Sequence, residues 1–550
     1  MKLRRKSSAA FAAIAALTLA ASIAACSGGG GGTAASGSGH GVLLASDDGS
    51  PTYTENFNPF SPSTRLGSTY MYEPLEVVNT LDGTATPFLA TGNKFTDPST
   101  LVYTIRSGVT WSDGTKFTPA DVEFTFNLMK KVPALDLHGV WQHIKSLEVT
   151  GNTVVFHLKT PDAPAAFVLD QQIIVPEHIW SSIADPLKYT DTKPVVTGPF
   201  VLGSFSPNQY TLKKNPKYWQ AGKVVVPSVT FTANNSALNV VHNGYDWAYS
   251  FLPDVDNTWV KADKAHNTYW FPAGGTVGLI PNLTKKPYSN LDFRNGISLA
   301  LDRTKIANAA ENGYVKAAGQ SGLLLPNQKA WLDPSLPAGG EVTQDATAAL
   351  AAFAKAGYHQ AGGKLVDASG AQLTIELTTP NSYSDWLQAA QTVQTQLAAI
   401  GIKVQLKQPQ PAAYQEALNN GDFDLAIGGY GGTGSVFQDF NTLLNSQFAT
   451  PIGTAASANY ERFHSADADS LLAQLKATTD ENDQKAIAYK LEQTVYNQTP
   501  VISMFYGGLW GLFSDKQYSG WPSAANPYAP PSTWNSTPLL VFTHLKLSKS

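Results

Sequence analysis

Apolar and polar residues alternate in short stretches of the first third of the chain, a pattern typical of strands with one buried face. Residues 101–105 and 154–158 are two such stretches. Between them, Thr118 can cap a helix, Pro119 suits its first turn, and Asp121 places an acid near the helix N-terminus. We therefore predict mixed strands and helices in this part of the chain.

The C-terminal half shows a strand, a helix and a second strand in succession. Residues 373–378 have a strand pattern, apolar residues from Trp386 to Ile400 recur at helical spacing, and residues 402–406 have a strand pattern again. A crossover of this length returns the chain to a parallel strand, so this half is predicted to be an α/β lobe. The remaining elements predicted here are a helix near 412–418, a strand over 423–427, and helices near 465–478 and 481–498.

Composition narrows the classes of protein that the chain can belong to. Its 550 residues suffice for two or more domains, at roughly 150 residues each. The single cysteine excludes a disulfide scaffold and a cysteine-built metal site. Only 15% of residues are charged while 11% are aromatic, and the net charge of −4 comes with no basic stripe. Nucleic acid is therefore not expected as a partner.

The N-terminus has the features of an export signal. Residues 1–25 have a basic start and an apolar, alanine-rich run too short for a comfortable membrane span. The residues Ile23 to Cys26 resemble a bacterial lipobox, which makes Cys26 the expected lipidation site, and residues 26–41 form a Gly/Ser-rich tether. We expect a protein anchored by lipid to the extracellular face of the cell membrane. The alternative is an ordinary cleaved signal with a chance cysteine.

A search for catalytic motifs finds no convincing site. The chain has no His-Glu-x-x-His, Gly-x-Ser-x-Gly or phosphate-loop motif. Gly429 to Gly434 fit a dinucleotide-binding pattern, but no acid lies between Asp439 and Glu461 to hold a ribose, so we reject that interpretation. A glycine-rich strand end can still admit a ligand close to the backbone. We predict no enzyme activity, no cofactor and no metal.

Many short segments, in a consistent order, resemble one protein family: the extracellular solute-binding proteins of peptide-type ABC importers. This family contains oligopeptide- and dipeptide-binding proteins and also nickel and oligosaccharide receptors. The segment Arg106–Gly114, continued by Phe117–Val122, is the most specific. The other segments are Asn58–Phe60, Tyr72–Leu75, Asp82–Gly83, Pro87–Ala90, Thr197–Phe200, Asn215–Trp219, Phe293–Arg294, Ala300–Arg303, Ala356–Tyr358, Ile400–Ile402 and Gly421–Asp424.

The resemblance implies a two-lobed, periplasmic-binding-protein-like α/β fold of the class II type, with a hinge and an additional small domain. By analogy, lobe I comprises 42–75, 185–275 and 500–550, the small domain comprises 76–184, and lobe II comprises 276–499. The ligand would lie between the lobes. The implied partners are an ABC permease and its ATPases, and the protein is expected to be a monomer.

The resemblance leaves the ligand open. Peptide-binding members take the peptide ammonium with an aspartate three residues after an aromatic, and here Tyr430 is followed at that position by Thr433. Unless Asp439 reaches back, that anchor is missing. An oligopeptide is the family default, and a neutral oligosaccharide, which would suit the low charge and many aromatics, is a near-equal alternative. A ligand-presenting partner of a sensor and a secreted hydrolase are less favoured.

Eight residues are candidate ligand contacts because of where they lie in the predicted lobes. Tyr430 and Thr433 follow a strand into glycines, and Trp386 begins a helix stripe where core packing is an equal alternative. The other candidates lie in lobe I segments that the ligand is expected to approach: Asn56, Phe57, Tyr245, Trp247 and Trp270.

Overall fold

The computed structural model describes residues 41–45, 52–233 and 237–549. The predicted signal segment, Cys26 and nearly all of the tether lie outside these residues, so those assignments stay predictions. None of the helices in the described part has the length and apolar character needed to cross a bilayer.

The first sheet is seven-stranded and draws on three distant parts of the chain. Its two edges are formed by segments near residues 270 and 200. In spatial order its strands are Asn267–Trp270, Gly511–Ser514, Trp247–Tyr249, Val42–Ala45, Ser228–Thr232, Gln209–Lys214 and Phe200–Ser206.

The second sheet is five-stranded and mixed. Thr374–Thr378 pairs in parallel with Lys403–Lys407 and Leu425–Tyr430, as the predicted crossover requires. Ala273–Pro281 then pairs antiparallel with both Leu425–Tyr430 and Ile502–Gly508. Apolar residues fill both faces of this sheet, since the adjacent Leu279 and Ile280 belong to separate buried clusters.

A third, four-stranded antiparallel sheet lies in the first third of the chain. In spatial order its strands are Ala90–Asp97, Thr100–Ile105, Thr153–Leu158 and Ile144–Thr150. Three two-stranded sheets complete the strands of the described residues: the hairpins Glu76–Val78 with Ala85–Pro87 and His359–Ala361 with Lys364–Val366, and the non-local pair Tyr518–Ser519 with Lys546–Leu547.

Helices cover the sheets where the apolar stripes predict them. Thr118 and Asp121 form the capping box of Pro119–Lys131, and Asp121 Oδ2 accepts from the Thr118 amide at 2.9 Å. The helix predicted from Trp386 spans Ser384–Ala399, and Gly401 follows it with a φ of +89°, a conformation that favours glycine. The other α-helices are Ser68–Met71, Val140–His143, Ala165–Asp170, Glu177–Trp180, Ala237–His242, Leu291–Ala300, Arg303–Glu311, Ala346–Lys355, Pro411–Asn420, Val436–Leu444, Ala466–Ala477, Glu481–Gln498 and Pro538–His544.

Two neighbouring crossings join the first sheet to the second. The chain passes from Asn267–Trp270 to Ala273–Pro281, and it returns from Ile502–Gly508 to Gly511–Ser514. Asn267–Trp270 pairs with Gly511–Ser514 in the first sheet, and Ala273–Pro281 pairs with Ile502–Gly508 in the second sheet. Between these pairs, the Leu509 amide donates to the Pro272 carbonyl at 2.8 Å. These short connections are the natural hinge of the two-lobed fold.

The buried clusters show which parts of the chain form common cores. One continuous cluster joins the first sheet to the four-stranded sheet, while the second sheet has clusters of its own. The predicted boundaries place 500–550 in lobe I, yet the strand Ile502–Gly508 pairs within the second sheet. The return to the first sheet therefore comes at residues 509–510, and the remaining domain boundaries stay predictions.

Candidate ligand site between the lobes

A cavity of about 390 Å³ lies beside the hinge crossings. This volume falls within the usual range for small-molecule sites, about 300–1,000 Å³. Its walls come from both sheets, from the turn of the Glu76–Val78 hairpin and from the C-terminal region. The lining residues are Leu81, Asp82, Trp270, Phe271, Pro272, Ala273, Tyr314, Val315, Lys316, Leu325, Pro326, Asn327, Tyr506, Ala524 and Pro527.

Aromatic rings form one wall of the cavity. Phe271 and Tyr314 meet edge to face with ring centroids 5.6 Å apart, and Trp270 lines the cavity beside them. Trp510, from the returning crossing, supports this wall at 4.9 Å from the Phe271 ring. The wall presents flat apolar surfaces that can receive an aliphatic side chain or the apolar face of a sugar ring.

Charged groups in the cavity wall are few. Of the lining residues, only Asp82 and Lys316 carry a charge, and the Asn327 amide donates to the Ala273 carbonyl at 2.8 Å. The cavity therefore combines apolar walls with a small number of polar groups, as is usual for a specific small-molecule site.

The glycine-rich segment 429–434 packs closely against neighbouring backbone. A Cβ on Gly432 would collide with the Gly274 carbonyl, and one on Gly434 would lie 2.8 Å from Thr80 Cα. Both glycines have positive φ, at +79° and +86°. Because these two glycines have no side chain, the hinge strand and the turn at Thr80 can pack directly against their backbone. This packing explains the glycine-rich motif without a bound nucleotide.

Thr433 is exposed, and Asp439 does reach back to it. Asp439 Oδ1 accepts from the Thr433 amide at 3.0 Å and lies 2.7 Å from its hydroxyl, while Oδ2 accepts from Gln328 Nε2 at 2.7 Å. Asp439 is only 2% exposed, and burial raises its pKa against the lowering effect of these hydrogen bonds. Both carboxylate oxygens are therefore occupied within the protein.

Tyr430 and Trp386 lie in lobe II, near the second sheet's glycines. The Tyr430 hydroxyl is 2.7 Å from Ser503 Oγ, and burial raises its pKa. Trp386 is half-buried, packs against both apolar clusters of the second sheet and lies beside Gly429. Neither residue lines the cavity, so ligand contact by Tyr430, Thr433 and Trp386 stays a prediction.

Three of the lobe I candidates are core residues, which corrects the expectation that they face the ligand. Phe57 is 0% exposed and packs against aromatic rings of the first sheet. Trp247 is equally buried, and its Nε1 donates to the Pro531 carbonyl at 3.0 Å. Tyr245 is buried with its hydroxyl 2.7 Å from Thr232 Oγ1. Their apolar area stabilises the lobe and leaves no surface for a ligand.

Asn56 organises a local loop. Its Nδ2 donates to Ser61 Oγ at 2.9 Å and Ser63 Oγ at 3.1 Å, and its Oδ1 accepts from the Asn58 amide at 3.2 Å.

Among the eight candidates, only Trp270 lines the cavity. The two charged residues of the cavity wall, Asp82 and Lys316, are not among these candidates, because each lies in a turn or loop whose sequence pattern indicates only exposure.

Comparison with known families decides which proteins the chain is related to. A model described as bacterial extracellular solute-binding proteins, family 5 middle, matches residues 84–451. The chain belongs to this family. Relatives include the oligopeptide-binding protein AppA of Bacillus subtilis, 25% identical over 73% of this chain and 74% of its own. The dipeptide-binding protein of Escherichia coli is 23% identical over 84% of this chain and 88% of its own.

Solved structures of family 5 proteins have the same fold. The periplasmic oligopeptide-binding protein of a Thermotoga maritima ABC transporter superposes with a TM-score of 0.82 at 25% identity, covering 92% of this chain and 99% of that chain. The same protein with bound mannohexaose gives a TM-score of 0.73.

Among the described residues, no group of three or more His, Cys, Asp or Glu is placed to hold a metal ion.

Family membership and fold together give the general role. The chain is an extracellular solute-binding protein of the type that serves peptide-class ABC importers, and its two-lobed α/β fold is the one expected from the sequence.

Proposed function

We propose that this protein is a lipid-anchored receptor that captures an oligopeptide-class solute between its two lobes and delivers it to an ABC permease. The observation that carries the proposal is the cavity beside the hinge, whose wall combines residues of both sheets, such as Trp270 and Tyr506. A ligand there contacts both lobes, so it stabilises the closed state by its differential affinity. The role is one of binding and release rather than catalysis.

Contacts away from the cavity support a closed arrangement of the lobes. The turn at Thr80 to Gly83 meets the glycine-rich segment, with Gly83 packed against the Gly434 carbonyl. This turn belongs to the hairpin Glu76–Val78 with Ala85–Pro87, which shares the core of the first sheet. The permease can then distinguish a closed, loaded receptor from an open, empty one.

A neutral oligosaccharide is the second candidate ligand. The aromatic wall of Trp270, Phe271 and Tyr314 favours it, because sugar rings stack on aromatic faces. The Thermotoga maritima relative, which binds mannohexaose in its crystal structure, supports the same alternative.

A thermal-shift screen of the chain lacking residues 1–26, against short peptides and against oligosaccharides, tests the proposal. A ligand that binds only the folded state raises the unfolding midpoint by mass action. We expect peptides to raise it, and Trp270→Ala to reduce that shift, whereas Leu187→Ala, which removes an exposed apolar side chain outside the cavity, should leave it unchanged. A shift with oligosaccharides alone would replace peptides by the second candidate, and no shift with either would refute the proposed ligand classes.

A further inference from the structure

Two buried carboxyl groups beside the four-stranded sheet share one hydrogen-bond donor. Asn93 Nδ2 donates to Glu76 Oε1 and to Asp170 Oδ1, each at 3.0 Å, so the two acceptor oxygens are no more than twice that distance apart. Each acid is only 4% exposed. Two carboxyl groups this close in a buried site repel each other when both are ionised, so one of them is expected to keep its proton.

The side chains that contact this pair are uncharged. Tyr103 lies opposite Asn93 on the neighbouring strand, and its hydroxyl donates to Asp170 Oδ1 at 2.7 Å. The amide and the phenol can hold the two acids in place, but neither supplies a positive charge. The pair is therefore built to bind a proton in the position that a cation would otherwise occupy.

Positive charges on the neighbouring elements are directed elsewhere. Lys94 follows the amide donor in its strand, so its side chain lies on the opposite face of the sheet, where it is exposed. The Arg106 guanidinium lies over the Trp219 ring, 4.0 Å from its centroid. His143, on the helix packed against Asp170's helix, lies 2.7 Å from Asp162 Oδ2.

The proton on this pair links the fold to pH. Burial raises the pKa of the Asp170 carboxyl from 3.8 to about 8, and the Glu76 carboxyl adds to the rise. Burial also raises the pKa of Glu76. Between 3.8 and about 8, the folded chain thus holds a proton that the unfolded chain has lost. The contribution of this site to stability is therefore present at low pH and falls as the pH rises toward about 8.

The two acids belong to two elements that reach lobe II. Glu76 begins the hairpin whose turn lines the cavity and, at Gly83, packs against the glycine-rich segment of lobe II. Asp170 ends a short helix, and just before this helix the Ala163 amide donates to the Lys476 carbonyl of lobe II at 2.7 Å. The spacing of the hairpin and the helix therefore determines whether both contacts can form together.

We propose that a proton shared by Glu76 and Asp170 acts as a pH-sensitive clamp between the hairpin and the helix. With the proton bound, the clamp holds the cavity turn and the Ala163 amide in the arrangement that meets lobe II. When the proton is lost, the two like charges push the hairpin and the helix apart, and the turn loosens. The clamp acts within the receptor itself, so it does not depend on which solute the cavity takes.

Amide hydrogen exchange of the ligand-free protein, read by mass spectrometry at about pH 6.5 and about pH 8, tests the clamp. The reporters are the amides of the helix Ala165–Asp170 and the Gly83 amide, which donates to the Asn79 carbonyl at 2.8 Å in the turn. Opening that brings Asp170 into water releases its proton, so the opening constant should rise about tenfold per pH unit up to about pH 8. After correction for the intrinsic exchange rate, protection in the turn and the helix should fall by about 30-fold.

Two charge-removing variants assign this fall to the acid pair. Asp170→Asn keeps an acceptor for Tyr103 and carries no charge, so its protection should stay constant over this pH range. Glu76→Gln removes the like charge from the other side and should reduce the pH dependence; if one variant does not fold, the other decides alone. Glu148→Gln is the matched control, because Glu148 lies on the same sheet with its side chain 63% exposed. This control should keep the wild-type fall.

The other outcomes overturn the clamp. Protection that is the same at both pH values in the wild-type protein contradicts it. A fall that persists in both variants belongs to another group, such as Glu73, whose pKa burial raises from 4.5 to about 7. A fall confined to the strand Thr100–Ile105, with the turn and the helix unchanged, shows that the pair does not control the elements that meet lobe II.

Discussion

The structure predicts that removing one lysine will loosen the closed state without touching the ligand cavity. Lys476, in the helix Ala466–Ala477 of lobe II, contacts the loop after the strand Thr153–Leu158. Its Nζ lies 3.1 Å from Asp162 Oδ2, and its carbonyl accepts from the Ala163 amide at 2.7 Å. The perturbation is Lys476→Met, which keeps the backbone contact and removes the charge.

The size of the effect follows from how deeply the pair is buried. The Asp162 side chain is 3% exposed and the Lys476 side chain is 37% exposed, so the pair lies between a surface ion pair and a fully buried one. After the substitution, His143 Nδ1 still lies 2.7 Å from Asp162 Oδ2, which limits the cost of the lost partner. We expect the closed state to lose about 1–2 kcal/mol relative to the open state. This corresponds to about a 5- to 30-fold fall in the ratio of closed to open protein.

Calorimetry and small-angle X-ray scattering measure this effect together. If the free protein is mostly open, Lys476→Met should weaken ligand affinity by the same 5- to 30-fold, because closure is part of binding. The scattering should show a larger radius of gyration at subsaturating ligand. Lys305→Met is the control, since Lys305 pairs with Asp302 inside lobe II at 3.1 Å. Unchanged affinity and scattering in Lys476→Met would refute the idea that this ion pair stabilises closure.

Further substitutions test other parts of the structure. Burial raises the pKa of Glu461 from 4.5 to about 8, so the folded chain holds a proton that the unfolded chain has lost between these values. Stability should therefore fall as pH rises from about 4.5 to about 8, and Glu461→Gln should flatten this slope in calorimetric scans. Phe57→Ala should cost about 3–5 kcal/mol in urea unfolding while leaving ligand selectivity unchanged, since the ring is a core residue. Gly432→Ala should lower the free energy of unfolding by about 1 kcal/mol or more, and the thermal midpoint with it, because its Cβ would meet the Gly274 carbonyl. Cys26→Ser should move the protein from the membrane fraction to the soluble fraction, as immunoblotting of the two fractions will show.

The secondary structure was predictable because it depends on local patterns. The alternation over 101–105 and the helix start at Thr118 both correspond to elements of the structure, as do the strands and helix of the α/β crossover. The path of the chain between the sheets was harder to predict. The strand Ile502–Gly508 lies in the second sheet, and nothing in its own apolar residues distinguishes a strand of one lobe from a strand of the other.

The ligand site was much less predictable than the fold. Aromatic residues are abundant, and most of the large ones fill cores, as Phe57 and Trp247 do, so aromatic character alone does not select a ligand contact. Asp82 followed by glycine has the pattern of a turn, and Lys316 has the pattern of an exposed loop. Their shared position becomes visible only when the fold places both in one cavity wall, although they lie more than two hundred positions apart in the sequence.

Two sets of contacts cross the same gap between the lobes, and their combination constrains how the receptor works. We expect the pair of Lys476 and Asp162 to favour closure whether or not ligand is present, whereas the residues of the cavity wall can favour it only through a bound solute. An importer needs empty receptors to stay open, so the first contribution must be smaller than the free energy that keeps the lobes apart. The ligand then supplies the remainder, and a solute that contacts only one of the two lobes leaves the equilibrium closer to the open state. Recognition of a solute that contacts both lobes and closure of the lobes are, on this argument, the same physical event.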